Sequence, residues 1–169
     1  GANGGVMCCR NSVIERKFSG GVVATDGKVV IVPNDATDMG VYQPANSTWT
    51  TVTMGGSLSS SYQGGVLNTD GRIVFVPQNA DHSCVFDPAA AANPFRTVDI
   101  SATLTMPKKF TGGVLAPTAD IIFVPCNADG VGIFNLVTGN FRVVSISITS
   151  SDKYSGGVLA PNGEIVFVP

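Results

Sequence analysis

Four sixteen-residue segments of this chain align without a gap. FSGGVVATDGKVVIVP stands at 18–33, YQGGVLNTDGRIVFVP at 62–77, FTGGVLAPTADIIFVP at 110–125 and YSGGVLAPNGEIVFVP at 154–169. Their glycine pairs open at Gly20, Gly64, Gly112 and Gly156, so the periods are 44, 48 and 44 residues. A repeat of this length restricts the fold strongly, because each unit is one small supersecondary element that buries its apolar face only against a copy of itself. The likeness continues through NDATDMGVYQP at 34–44, QNADHSCVFDP at 78–88 and CNADGVGIFNL at 126–136, and then through an aromatic at Trp49, Phe95 or Phe141. The longer middle period comes from two extra residues in PAAAANPF and two in ISATLTMPKKF. Both insertions lie between the shared blocks, where loops tolerate them.

Each repeat reads as four short strands. The first is glycine-rich, carrying Gly20 and Gly21, Gly64 and Gly65, Gly112 and Gly113, or Gly156 and Gly157. A tight primed turn is expected at Asp26-Gly27, Asp70-Gly71 and Asn162-Gly163, since such turns need positive φ. The third repeat has PTAD at 117–120 instead, where Pro117 suits a type I turn. The second strand is apolar at nearly every position, as a strand buried on both faces is. It ends at Pro33, Pro77, Pro125 or Pro169, which donate no hydrogen bond. The third strand is GVYQ, CVFD or GIFN. The fourth alternates, with Val52 and Met54, Val98 and Ile100, or Val144 and Ile146 pointing one way. Helical spacing occurs over no useful length.

Four antiparallel strands in about 45 residues, glycine-rich at the inner edge and amphipathic at the outer, describe a β-propeller blade. The fold class is therefore all-β, with blades beginning near 18, 62, 110 and 154 and the last incomplete. Glycines suit the inner strand because blades converge on the axis, and Gly112→Val is expected to crowd it. Residues 1–17 form an N-terminal extension or a degenerate outer strand such as GVMCC, ahead of propeller repeats over 18–169. Three complete repeats and a partial fourth predict a partial propeller or a piece of a longer array.

The repeat pattern, aromatic-x-G-G-V-L-A-P-N-G-x-I followed by V-P and x-N-A, resembles tandem repeats in largely uncharacterised proteins of algae and other protists. More loosely it is similar to NHL-type, lactonase-like and streptogramin-lyase-like propellers. The resemblance covers residues 18–169 and implies the fold. It implies no catalytic residue.

Charge sets limits on partners. Ten Lys and Arg stand against twelve Asp and Glu, which argues against an electrostatic grip on nucleic acid or an anionic membrane. No apolar run approaches the roughly 18–20 residues of a membrane span. The opening GANGGVMCCR shows no signal peptide. Cys8, Cys9, Cys84 and Cys126 have no C-x-x-C spacing and read as reduced thiols in an intracellular setting. Asn46 opens an N-S-T acceptor triplet for glycosylation, which matters only in an exported chain.

Propeller geometry gathers the loop after strand two and the approach to the next strand one on a single face. That face collects Asp35, Asn79 and Asn127, then Asp81 and Asp129, with Lys17, Lys109 and Lys153 just ahead of the aromatics. Such a ring could hold a cation such as calcium through oxygen ligands, a sugar or a peptide loop. The bland alternative is that Asn and Asp cap their own loops. His82 belongs to no repeated constellation and is expected in an exposed loop. No serine occupies a G-x-S-x-G elbow. Cys84 stands where other repeats have Gly40 and Gly132, a packing position, and Cys126 has no basic neighbour to lower its pKa. With no catalytic residue, metal site or cofactor assigned, the chain reads as a protein-binding or scaffold propeller, of a kind that can serve as an accessory subunit of a larger assembly. The alternative is a metal-dependent hydrolase or lyase, or a carbohydrate-binding propeller, using the Asn and Asp ring.

Overall fold

The structure, a computed structural model, describes residues 17–55 and 61–169. These form fourteen strands in four antiparallel sheets. The first sheet orders β1 (Phe18–Val23), β2 (Val29–Pro33), β3 (Asp38–Gln43) and β4 (Thr48–Thr53) side by side. The second repeats this with β5 (Tyr62–Leu67), β6 (Ile73–Pro77), β7 (His82–Phe86) and β8 (Phe95–Asp99). The third has β9 (Phe110–Leu115), β10 (Asp120–Pro125), β11 (Gly130–Asn135) and β12 (Phe141–Ser145). The fourth is the hairpin of β13 (Gly156–Leu159) and β14 (Ile165–Val168). The innermost strands pack in succession, β1 on β5, β5 on β9 and β9 on β13. This is the propeller arrangement, and its sheets are blades. The strand expected within residues 5–9 lies outside the described residues.

Two apolar cores fill the seams between blades. The first joins blades one and two through Val30, Val32, Met39, Tyr62, Ile73 and Phe75. The second joins blades two and three through Val74, Val76, Phe110, Ile121, Phe123 and Phe134. Along β6 the side chains therefore alternate between seams, Ile73 and Phe75 to one and Val74 and Val76 to the other. That period of two, with both faces covered, is why the strand is apolar throughout. The outer strands alternate as expected in blades one and two. In blade three, Val144 is exposed, and among the described residues the fourth sheet places no outer strand beside it.

The glycine pairs divide their work. In β1, β5 and β9 the pairing register slips just before the second glycine, a β-bulge in each inner strand. The first glycine takes positive φ at Gly20 and Gly64, +86° and +76°, and a Cβ on Gly64, Gly112 or Gly156 would meet nothing within 4 Å. The second glycine is the crowded one. A Cβ at Gly113 would lie 2.7 Å from Val66 Cγ2 and 3.1 Å from Val76 Cγ2. The expectation that Gly112→Val crowds the axis is thus corrected by one residue: Gly113 is the close-packed position, and it faces the neighbouring blade.

The hairpin turns of the first, second and fourth repeats also differ from expectation, while that of the third has the bond of the expected type I turn, Ala119 N–H donating to Ala116 O. Ala24 N–H donates to Lys28 O and Gly27 N–H donates to Ala24 O, at 2.8 and 3.0 Å. Only Gly27 has positive φ, whereas a primed turn needs it at both central residues or at the first. The loop is a three-residue one closed by a left-handed glycine. The same bonds recur at Asn68 and Gly71, and at Ala160 and Gly163. They recur in the third repeat too, where Ala119 takes φ +65° without being glycine. Each turn is tied by a side-chain pair two residues apart: Asp26 with Lys28, Asp70 with Arg72, Thr118 with Asp120 and Asn162 with Glu164. Hydrogen bonding to Arg72 holds the Asp70 carboxyl down to about 2.

Candidate functional site

The residues singled out in sequence meet at the seams between blades. Lys109, at the entry to β9, has a wholly buried side chain. Its Nζ donates to Met106 O at 2.8 Å, Asn79 O at 3.3 Å and Asp81 Oδ1 at 3.4 Å. One seam further on, Lys153 Nζ donates to Asn127 O at 3.1 Å and lies 3.5 Å from Asp129 Oδ1. The two asparagine side chains reach across the same seams. Asn79 Oδ1 accepts from Lys108 N–H at 2.8 Å, and Asn127 Oδ1 accepts from Asp152 N–H at 2.9 Å. Lys109 thus carries its charge into a cage of carbonyl oxygens and Lys153 sets its own against a single one, each with a largely exposed carboxylate as counter-ion. Burial pushes the Lys109 ammonium down and the nearby Asp81 carboxylate opposes that shift.

The first seam lacks this arrangement. Thr37 stands where Asp81 and Asp129 stand in the other repeats, and Ser61 stands where Lys109 and Lys153 do. A neutral network replaces the ion pair. Asn34 Nδ2 donates to Tyr62 O at 2.9 Å and to Gln78 Oε1 at 3.2 Å. Ser61 Oγ donates to the same Gln78 oxygen, and Ser19 Oγ donates to Tyr62 O at 2.5 Å. Sequence reasoning overlooked Asn34, Gln78 and Ser61. The signal was available in the joint departure of Thr37 and Ser61 from the Asp and Lys of the other repeats. Asp35 is exposed and takes no part in either lysine arrangement.

Two expectations about individual side chains change. His82 begins strand β7 and is half-buried, not in an exposed loop. Its ring packs edge-on to Tyr62 with centroids 6.0 Å apart, Nε2 is buried without a partner, and burial lowers its pKa. Cys126 does have basic neighbours, Lys108 and Lys153, yet burial and the Asp152 carboxylate outweigh them and its thiol is pushed up. Cys84 is fully buried, and burial pushes its thiol up to about 12. Among the described residues no three His, Cys, Asp or Glu side chains are close enough to hold a metal ion. A cleft of about 230 Å³ opens between blades one and two, lined by Ala24, Asp26, Lys28, Val30, Val41 and Phe86. That is below the roughly 300–1,000 Å³ of ordinary ligand pockets.

No protein-family profile matches the chain, and no curated protein matches it in sequence. Solved structures do match in shape. Virginiamycin B lyase from Staphylococcus aureus superposes with a TM-score of 0.72 at 18% identity, over 90% of this chain and 49% of the lyase. The extracellular domain of a putative hybrid two component system from Bacteroides thetaiotaomicron superposes at 0.68 with 13% identity, over 94% of this chain and 21% of that one. Hydrazine synthase of Kuenenia stuttgartiensis follows at 0.64 and 11%, over 97% and 45%. Identities this low carry the fold and no further. The chain spans about half the length of the lyases it matches. Among the described residues no helix is long and apolar enough to cross a membrane.

Proposed function

We propose that this chain is a non-catalytic propeller module that binds protein, acting as a scaffold or accessory part of a larger assembly. One observation supports this reading above others: the last hairpin presents an apolar face that the other blades keep covered. Val158 and Val166 are each 52% exposed and Val168 is 44% exposed. Their counterparts in the second blade, Val66, Val74 and Val76, are 7%, 0% and 0% exposed. Burying a valine stabilises by about 1.5–3 kcal/mol, so whatever covers this face, a further repeat of a longer chain or a separate partner, gains several such increments. The edge of β14 adds backbone donors and acceptors of the kind that accept an added strand.

The complete blades specify what such a partner presents. Against β10 lies β11, with Ile122 opposite Ile133 and Phe123 opposite Gly132. A strand added to β14 in that register places a small residue opposite Phe167, flanked by an aliphatic one. A labelled peptide of residues 130–145 is therefore expected to bind the intact chain saturably, and Val166→Asp to weaken that binding at least tenfold. Absence of peptide binding, in a chain that sediments as a monomer at every concentration, refutes the reading.

The second reading is a propeller enzyme or carbohydrate binder, favoured by the likeness to a lyase and by the placing of Asn79, Asp81, Asn127 and Asp129 along the seams. Both asparagine oxygens already accept backbone N–H groups, which leaves mainly the two carboxylates for a cation. Stoichiometric calcium, lost on Asp81→Ala and Asn127→Ala, would favour this reading over the first.

A further inference from the structure

Of the side-chain clusters, clefts and edges in the molecule, the hairpin tip joining β3 to β4 carries an inference of its own. We infer that Asn46 is the acceptor of an N-linked glycan, transferred from a polyprenyl-diphosphate-linked oligosaccharide. Asn46-Ser47-Thr48 is the single Asn-x-Ser/Thr triplet in the chain, and residues 44–48 are all exposed. The tip is a tight turn, with Ser47 at φ +55° and its N–H directed at Pro44 O. Thr48 Oγ1 donates to Asn46 Oδ1 at 2.7 Å, and Thr48 N–H donates to the same oxygen at 3.3 Å. The amide oxygen is therefore held by the hydroxyl that the motif requires, and among the described residues Asn46 Nδ2 donates to nothing.

The neighbouring strand supplies an independent reason. Outer strands expose unpaired backbone groups, and charged side chains are a common protection against edge-to-edge association. β8 carries Arg96 and Asp99, and β12 carries Arg142. β4 reads TWTTVT and carries no charge at all. The outer strand without charge is the one whose entry bears the acceptor triplet, so a bulky hydrophilic glycan beside it would supply the protection that charge gives the other two.

In the transfer the amide nitrogen attacks the anomeric carbon of the donor sugar. A carbon–nitrogen bond forms, the bond from that carbon to the diphosphate oxygen breaks, the diphosphate leaves with the electron pair, and the nitrogen releases one proton. No oxidant or reductant takes part. The inference places the chain on the exported side of a membrane, against the intracellular setting suggested by its cysteines. The unpaired state of Cys84 has a different cause, since it is buried in a core where its counterparts are glycines.

The test is peptide mapping of the full chain isolated from the cells that make it. A glycan on the peptide containing Asn46 is expected, released by a glycan amidase that converts the residue to aspartate. Thr48→Ala expressed in the same cells should lose the glycan, Thr48→Ser should keep it, and the enzymatically stripped protein should associate more readily than the native one. An unmodified Asn46 in the native protein overturns the inference, as does sugar attached only through serine or threonine hydroxyls.

Discussion

The two glycine positions of the inner-strand pair, seen in different blades, answer to different forces. At Gly113 the limit is space, since an added Cβ would lie within 3.1 Å of both Val66 and Val76. At Gly156 a Cβ meets nothing and φ is not positive. Gly113→Ala should therefore cost about 1–3 kcal/mol, the range for overpacking. Gly156→Ala should stay within about 0.5 kcal/mol of the parent. Urea denaturation of the two variants checks both, and equal effects would contradict the division of roles. Residue chemistry also sets a pH response. Cys84 ionises near 9 when unfolded and is raised to about 12 by burial in the fold. Between those values the unfolded chain has lost a proton that the folded chain keeps, so stability falls as pH rises through that window and is unaffected below it. Tyr62 is raised as well, by burial first and by the adjacent Cys84 second, and adds to the fall above its ordinary value near 10. Raising the pH from 8 to about 10.5 should cost roughly 2 kcal/mol through the thiol alone, at about 1.4 kcal/mol per pH unit above 9. Cys84→Ala should flatten the slope, whatever it does to stability at neutral pH.

At the scale of elements, the first two seams hold through apolar cores, bordered by a neutral network at the first and by the Lys109 cage at the second. Lys109 donates to two backbone carbonyls as well as to a carboxylate that is itself mostly in water. The carbonyl bonds carry the larger share, because an exposed counter-ion contributes little once solvent screens it. Lys109→Met should then cost about 1–3 kcal/mol, chiefly by leaving carbonyl oxygens without a donor. Asp81→Asn should cost less than about 1 kcal/mol and depend on salt. Thermal denaturation at low and high ionic strength separates the two, and a larger loss for Asp81→Asn would reverse the ranking. These elements were legible in the chain to different degrees. The strands were readable because period-two apolar patterns and terminal prolines report burial directly. The partners of Lys109 were not, because a lysine ahead of an aromatic looks like any solvated charge until the neighbouring blade closes over it. The three glycine-bearing turns were misassigned because Asp-Gly and Asn-Gly fit both a primed turn and a three-residue loop. Ala119, which takes the glycine's conformation without its freedom, shows that the geometry of the hairpin, not the residue at its tip, decides the loop. His82 was missed for a related reason: its ring packs against Tyr62, twenty positions away.

The whole molecule is a short stack in which every blade leans on its neighbours, and its stability should be graded accordingly. Blade two has a core on each face, and β6 is buried along its full length. The last hairpin touches one neighbour, through β9, and leaves Val158, Val166 and Val168 half in water. A two-stranded hairpin is marginal without added packing, and three half-exposed valines forgo roughly 2 kcal/mol relative to their buried counterparts. In repeat architectures such differences remain local, since stability is close to a sum of unit and interface contributions. Native-state hydrogen exchange should therefore resolve a gradient. Amides of β6 and β10 should exchange only through the largest opening, and those of β13 and β14 through an opening smaller by about 2 kcal/mol or more. Saturation with the peptide of residues 130–145 should slow exchange in β14 and leave β2 unchanged, because the added strand pairs there and nowhere else. Uniform protection across all four sheets would mean that the chain unfolds as one unit, and that the exposed valines of the last hairpin are already covered in solution.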